Sequence, residues 1–336
     1  MIAITAASAA LGVANGRGAW AKSQTPQPVI WRGIALGAAA QIILYHEDRA
    51  AAASVLERCR AEIVRLENLF SLYRPQSHIN RLNRDGVLKN PDFDMIELFS
   101  RAKELGRQTG GVFDISVQPL WALYREHFSN RDMSGSGPSQ IAINEALRLV
   151  DVQKINVSPE MIEFGQKGMA VTCNGIAQGF ITDQIAALLK GAGFKNTLLN
   201  LGEIAAIGGK PDGASSGQAS AIPWRVGIQN PDGHLGGERN VLKTLSLKNQ
   251  AMATSASSGT LFTKDGKHHH LFDPRTGAST HMNKSVSVIA PDATTADALS
   301  TAFSALAPGD IRQVIKAYPN TRAIVFGRNE EMYELG

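Results

Sequence analysis

Thr197-Leu198-Leu199-Asn200-Leu201-Gly202-Glu203-Ile204-Ala205-Ala206-Ile207 is followed by Trp224-Arg225-Val226-Gly227-Ile228-Gln229 and then by Val241-Leu242-Lys243-Thr244-Leu245-Ser246-Leu247. These apolar or alternating runs, bounded by Gly, Pro, Asn and Asp, read as strands with no helical stretch between them. Strands that arrive in succession, rather than in strict alternation with helices, predict an α+β fold and not a doubly wound parallel sheet. Shorter strand-like runs at 154–157, 161–164 and 169–172 precede this block, and others at 286–290 and 322–327 follow it. Residues 28–45 read as a first strand or hairpin arm.

Helices show as a different period. Leu56, Cys59, Ile63, Leu66 and Phe70 are three or four apart, which puts them on one face of a helix from about Asp48 to Tyr73. Pro75 is expected to end it. Cys59 is then a core thiol. Met95, Leu98, Phe99, Ala102 and Leu105 mark a second helix over 93–109, stopped by Gly110 and Gly111. Further helices are expected at 177–192, 294–306 and 309–317.

The chain of 336 residues has room for one large domain or two small ones, and its loop-like stretches at 131–139 and 208–221 are too short to separate domains. Apolar residues at 43% with only 19% charged exclude a largely disordered chain. A net charge of +4 does not support a nucleic-acid partner. No run of about 18 apolar residues follows the first twenty positions, so no stable membrane span is expected in the mature chain. Two cysteines cannot build a disulfide framework or a four-cysteine zinc site. Residues 2–14 are mostly small and apolar, and Ala19-Trp20-Ala21 fits a cleavage site before Lys22, although the first basic residue is as late as Arg17. Residues 1–21 are therefore expected to be an export signal peptide and the mature protein periplasmic. No Cys follows the site, which argues against a lipid anchor there.

Four segments carry polar or glycine residues that a plain core element would not need. In Gly110-Gly111-Val112-Phe113-Asp114-Ile115-Ser116-Val117-Gln118-Pro119-Leu120, two glycines allow close backbone approach and Asp114 interrupts an apolar, strand-like run. The bland alternative is a helix stop and an edge strand. Thr172-Cys173-Asn174-Gly175-Ile176-Ala177-Gln178-Gly179-Phe180 reads as a strand-to-helix turn whose free amides make an anion site. In His268-His269-His270-Leu271-Phe272-Asp273-Pro274-Arg275-Thr276-Gly277, adjacent strand residues point to opposite faces, so the three histidines cannot converge on one ion. His268 and His269 read as solvated turn residues. Asp297 and Thr301, four apart on a helix, present two hard oxygens on one face, which suits magnesium. A capping Asp with a back-bonded Thr is the alternative there.

These segments stand in order with Ser71-Leu72-Tyr73 through Asn83, Asn200-Leu201-Gly202, Trp224 to Pro231 and Ala253-Thr254-Ser255. Together they resemble the ApbE family, the FAD:protein FMN transferases, from about Trp31 to Phe326. The resemblance implies a single ApbE-like (T-fold-like) catalytic domain over 22–336, with mixed or antiparallel sheets and flanking helices. It implies Mg2+ and FAD, and transfer of FMN to a Thr or Ser hydroxyl of a partner protein with release of AMP. Asp297 and Thr301 would hold the metal through side chains and Gly175 through its carbonyl. Leu36, Tyr73, Val112, Phe113, Asp114, Thr172, Gln178 and Phe272 would line the flavin nucleotide, and His270 would activate the acceptor hydroxyl, with Asp297 its catalytic companion. The acceptor expected is an exported or membrane redox subunit with a Ser/Thr-Gly-Ala-type sequence, such as a sodium-pumping quinone reductase, an Rnf-type complex or a nitrous-oxide-reduction regulator. A magnesium-dependent FAD pyrophosphatase giving FMN and AMP, or a non-catalytic periplasmic FAD-binding protein, are the rival readings. Three positions depart from the family's pattern: Gln178 where Lys is frequent, Ala256 where Thr-Ser is followed by Gly, and Glu203 in place of Gly-Asp, which shifts or removes the acidic function there.

Overall fold

Two-residue alternation decides the layering. In the strand Ala38–Leu44, Ile42 and Leu44 enter one core and Ile43 packs on the other. In Ile204–Ile207, Ala205 and Ile207 take the first core, and Ile204 and Ala206 the second. A sheet apolar on both faces needs a cover on both. The computed structural model describes residues 27–129, 136–212, 221–231 and 240–336, and it supplies those covers.

The central sheet has eight strands, in the order Val29–Ala35, Ala38–Leu44, Thr197–Asn200, Ile204–Ile207, Gln250–Ala256, Asn283–Ala290, Arg322–Gly327 and Met332–Leu335. Every pairing along it is antiparallel, which narrows the expected mixed or antiparallel sheets to the latter for the described residues. Its edge strands come from the two ends of the described chain, so one sheet ties them together. On one face lie the helices Arg49–Phe70, Ala177–Gly191 and Ala293–Phe303, the last against strands Gln250–Ala256 and Asn283–Ala290. The hairpin of Trp224–Gln229 and Val241–Leu247 covers the other face with Trp224, Val226, Ile228, Leu245 and Leu247. A third apolar cluster joins Leu120, Tyr124 and Phe128 of helix Gln118–Ser129 to Ile143, Phe262 and Phe272.

Several elements differ from the sequence-based expectation, each for a local reason. The first long helix stops at Phe70 rather than Tyr73, well before Pro75. Asn80 Nδ2 donates to the carbonyls of Leu72 and Arg74, which holds the chain in a turn instead. Residues 110–120 are not a strand: Asp114 caps a 3-10 turn, Ile115–Val117, which runs directly into helix Gln118–Ser129. Residues 169–172 are irregular, because the Asn83 side chain, not a neighbouring strand, pairs with the Val171 N–H and C=O. The 197–207 run is a hairpin turned at 201–203, not one strand. Helices His78–Asp85 and Gln140–Leu147 and strands Gln250–Ala256 and Met332–Leu335 gave too little apolar period to be read. Cys59 is fully buried as expected, and burial pushes its thiol up to about 11. The 1–21 export segment and parts of the 131–139 and 208–221 loops lie outside the described residues. Among the described residues no helix is long and apolar enough to cross a membrane.

Helices Ala177–Gly191 and Ala293–Phe303 touch closely at Gly179, where an added Cβ would sit 2.3 Å from the Ala293 carbonyl oxygen and 2.8 Å from Asp297 Cβ. Neither backbone can give way without moving a helix. Gly179→Ala should therefore cost about 1–3 kcal/mol, the usual range for overpacking. Thermal unfolding checks it, and an unchanged Tm would show the crossing to be looser than this.

Candidate active site

The packing of these layers leaves a cavity of about 660 Å³. That is within the range of roughly 300–1,000 Å³ typical of small-molecule sites. Leu36, Tyr73, Val112, Phe113, Asp114, Thr172, Gly175, Gln178, His270, Phe272, Asp297 and Thr301 all line it. Residues separated by up to 265 positions in sequence (Leu36 to Thr301) thus meet in one place.

Each arrives by a specific local device. Leu36 sits at the tip of the first hairpin with a φ of 46°, and its N–H donates to Glu67 Oε1 at 2.7 Å. Arg74 pairs with the same carboxylate. Tyr73 follows the first helix and is 80% exposed, so it stands at the rim rather than in the interior. Val112 and Phe113 are buried beyond the Gly110-Gly111 turn. Asp114 lines the cavity, but its oxygens are already used: Oδ1 accepts from Ser116 N (2.7 Å) and Oγ (2.5 Å), and Oδ2 from Val152 N (2.9 Å). Burial raises its pKa, and these donors oppose the rise. Phe272 packs 4.9 Å from the Tyr124 ring.

Asp297 is not a cap. The N-cap of its helix is Asp292, which accepts from Thr295 N at 2.8 Å. Asp183, from helix Ala177–Gly191, accepts from Ala293 N and Thr294 N, both at 2.8 Å. Asp297 itself is 3% exposed, and its Oδ2 accepts from Gly179 N at 2.9 Å. The turn expected to offer free amides to an anion has thus given the Gly179 amide to the protein's own carboxylate. Gly175 approaches Thr301 so closely that a Cβ there would lie 2.9 Å from Thr301 Oγ1. Thr301 Oγ1 contacts Ser255 Oγ at 3.2 Å, and Ser255 Oγ reaches Ser300 Oγ at 2.8 Å, so a hydroxyl network, not a back-bond, sets its direction.

Sequence reasoning missed Glu203. It lies on the turn between two sheet strands, is 8% exposed and lines the same cavity. Of the two outcomes expected for the acidic function there, shifted or removed, a carboxyl group at Glu203 on the cavity fits the first, so Asp297 is not the only buried acid here. Burial pushes Asp297 up to about 7, and the Asp183 charge adds to this against the Gly179 N–H. Burial likewise raises Glu203 far above the usual carboxylate range, and the Asp297 charge adds to it. Among the described residues no Lys or Arg forms an ion pair with either. Two carboxylates, hydroxyls and a carbonyl are hard oxygen donors, and buried negative charge left unpaired is costly, so the donor set fits a divalent cation. Asp183 was also unread, and Ser255 was read only as part of a family segment, because what they do depends on contacts over 110 and 46 residues.

The histidine run is corrected at His269. It is fully buried rather than solvated: its N–H donates to Ser279 Oγ at 2.9 Å, and Nε2 lies 2.8 Å from the Thr280 carbonyl. His268 is half-buried with its ring 5.2 Å from Phe128. His270 alone of the three lines the cavity. Its Nδ1 lies 3.2 Å from both the Thr260 nitrogen and the Thr260 carbonyl oxygen, and burial lowers its pKa.

The fold and site define a flavin-transferase-type architecture. The chain belongs to the ApbE family, whose model matches residues 36–326. It is similar to the FAD:protein FMN transferase of Treponema pallidum, 28% identical over 281 residues that cover 77% of this chain and 76% of that one. The Escherichia coli K12 protein of the same name is 26% identical over 304 residues, 88% and 83% of the two chains. The crystal structure of the ApbE protein of Thermotoga maritima superposes with a TM-score of 0.76 at 26% identity, covering 92% of this chain and 97% of that one.

Burial holds His269 at a pKa of about 4, against roughly 6.5 for an unfolded chain. Between those values the unfolded state binds the extra proton, so stability present above pH 6.5 is lost as pH falls toward 4. The full difference is worth about 3 kcal/mol. Urea unfolding at pH 7 and pH 5 should show about 2 kcal/mol of this loss, and His269→Gln should be less stable at pH 7 but flatter across the interval. Equal pH dependence in both proteins would remove His269 as its source.

Proposed function

We propose that this protein is a magnesium-dependent FAD:protein FMN transferase that joins FMN to a Thr or Ser hydroxyl of a partner protein and releases AMP. What supports this reading is the convergence of the family-matched residues on one cavity that also holds two buried carboxylates. Asp297, Thr301 Oγ1 and the Gly175 carbonyl would hold Mg2+. When bound, the ion supplies electrostatic neutralisation of the pyrophosphate and the departing AMP.

The remaining work belongs to the chain's own groups. Positioning and charge placement dominate phosphoryl-type transfer, so the cavity walls matter more than covalent chemistry. Val112, Phe113 and Phe272 make an apolar wall that limits access of water, which would otherwise compete with the acceptor hydroxyl. Leu36, Thr172 and Gln178 contribute contacts to the nucleotide, and Tyr73 offers an exposed ring at the rim. Asp114 caps the 3-10 turn Ile115–Val117 that leads into helix Gln118–Ser129 and ties it to the Val152 amide.

His270, neutral at pH 7 because burial lowers its pKa, suits proton acceptance. In the tautomer that carries its proton on Nδ1, facing the Thr260 carbonyl, Nε2 takes the proton of the acceptor hydroxyl. The hydroxyl oxygen bonds to the FMN phosphorus, the bond to the AMP oxygen breaks, and AMP leaves with the negative charge. The proposed acceptor is an exported or membrane redox subunit with a Ser/Thr-Gly-Ala-type sequence, in keeping with a periplasmic enzyme.

Asp297→Asn should abolish FAD cleavage, and chelation of the wild type should do the same reversibly on return of Mg2+. His270→Ala should slow single-turnover FMN attachment by about 10²–10⁴-fold while changing FAD affinity little. Intact mass of an acceptor domain reads both variants; cleavage of FAD without acceptor labelling would instead identify a pyrophosphatase. Activity surviving chelation and both substitutions would overturn the assignment.

Export is a separate proposal, resting on the small residues Ala19 and Ala21 before Lys22. N-terminal sequencing of protein from a periplasmic fraction should begin at Lys22. An intact Met1 on cytoplasmic protein would contradict it.

A further inference from the structure

Glu203 has no role in the reaction derived above, yet it is one of four buried acidic residues among the described residues, with Glu67, Asp94 and Asp297. The hairpin that carries it is tightly specified: Asn200 pairs with Ile204 across the turn, and Leu201 N donates to the Glu203 carbonyl at 2.9 Å. Met252, Thr254 and Ser255 of the neighbouring strand line the cavity beside it. The turn is thus fixed so that the carboxylate is held at the cavity, near Asp297, and not turned out to solvent.

A second observation comes from Asp297. Its Oδ2 is engaged by Gly179 N, while Oδ1, which accepts no hydrogen bond among the described residues, is open to the cavity that the residue lines. A carboxylate held in a largely buried place needs a positive partner more than a neutral group does. No Lys or Arg side chain supplies one to either carboxylate among the described residues. Two buried carboxyl groups that line one cavity without a cationic side chain are explained by an ion that both sides of the cavity face.

We propose that Glu203 is a second carboxylate of the cation site, so that strand turn 201–203 and helix Ala293–Phe303 clamp one divalent ion between them. This rests on the cation site assigned to Asp297 and goes beyond it in one respect. Magnesium is usually held by one or two carboxylates with waters and substrate phosphates completing its shell; a second carboxylate lets the protein balance the ion's charge before any phosphate arrives. The ion then loads before FAD and presents a preformed landing point for the pyrophosphate.

Mn2+ titrated into the purified wild-type protein without nucleotide, and read by the EPR signal of the free ion, tests this directly. Wild type should bind Mn2+, and Glu203→Gln should weaken binding by about ten- to hundred-fold. Asp297→Asn is the control for the underlying site. Thermal unfolding adds a readout that a merely structural glutamate would not give. In chelator, Glu203→Gln should unfold at the same temperature as wild type or higher, since the amide replaces a buried acid whose ionised form is disfavoured there; with added Mn2+ or Mg2+, wild type should gain more than the variant. Wild type that binds no Mn2+ without nucleotide overturns the proposal, as does a Glu203→Gln variant that binds like wild type or is less stable in chelator. If Asp297→Asn alone loses the ion, the site stands and Glu203 is outside it; if neither substitution matters, the site itself is misassigned.

Discussion

A single hydrogen bond, from the Gly179 amide to Asp297 Oδ2 at 2.9 Å, joins the two helices on which the site depends. It requires a glycine, because the helices cross with less room than a methyl group needs. It also requires an acid in the interior of a buried helix, where an acid is otherwise disfavoured. The positive N-terminal end of helix Ala177–Gly191 offsets part of that cost. The start of the second helix is held by two further carboxylates, Asp292 and Asp183, the latter reaching across from the first helix. The pair is therefore locked at both levels, backbone and side chain, and Thr301 is carried along one turn further.

The sheet contributes the opposite side of the cavity through its turns and strand ends. Leu36 stands on one hairpin, Glu203 on another, and Thr254 and Ser255 on the strand beside it. Because all the pairings are antiparallel, each hairpin tip has its register set by two flanking ladders. Glu67 extends this fixation off the sheet, since its carboxylate holds the Leu36 amide and pairs with Arg74 at the end of the first helix. A site built this way is preorganised by elements that are rigid for reasons of their own packing.

What the sequence made legible were the features that repeat within a few residues. Helical spacing placed Asp297 and Thr301 on one face, and both do line the cavity. Successive strands announced the α+β class, and the Gly110-Gly111 helix stop lies where its glycines adopt positive φ. The illegible parts depend on distant partners. Helix Gln118–Ser129 was obscured by the apolar residues before it, whose burial serves two different clusters. His269 looked solvated because nothing local shows that Ser279 and Thr280 close over it. Glu203 carried an acidic side chain at a turn, which is the commonest place for a solvated one; only the fold reveals that the turn faces inward.

The three departures from the family pattern also have a common electrostatic consequence. Gln178 lies against the Gly202 turn, where a Cβ on Gly202 would come within 2.4 Å of its amide nitrogen. A lysine there would bring positive charge beside Glu203 and Asp297; the glutamine brings a dipole. Ala256 is buried at the end of its strand and adds no charge. Glu203 keeps an acid where the family pattern has Gly-Asp, so the change in formal charge among the three positions is the missing lysine. The wall at the Gly202 turn therefore meets Glu203 and Asp297 with a dipole, and among the described residues no ion pair reaches either carboxyl, which leaves their ionised forms dependent on a positive partner from outside the chain.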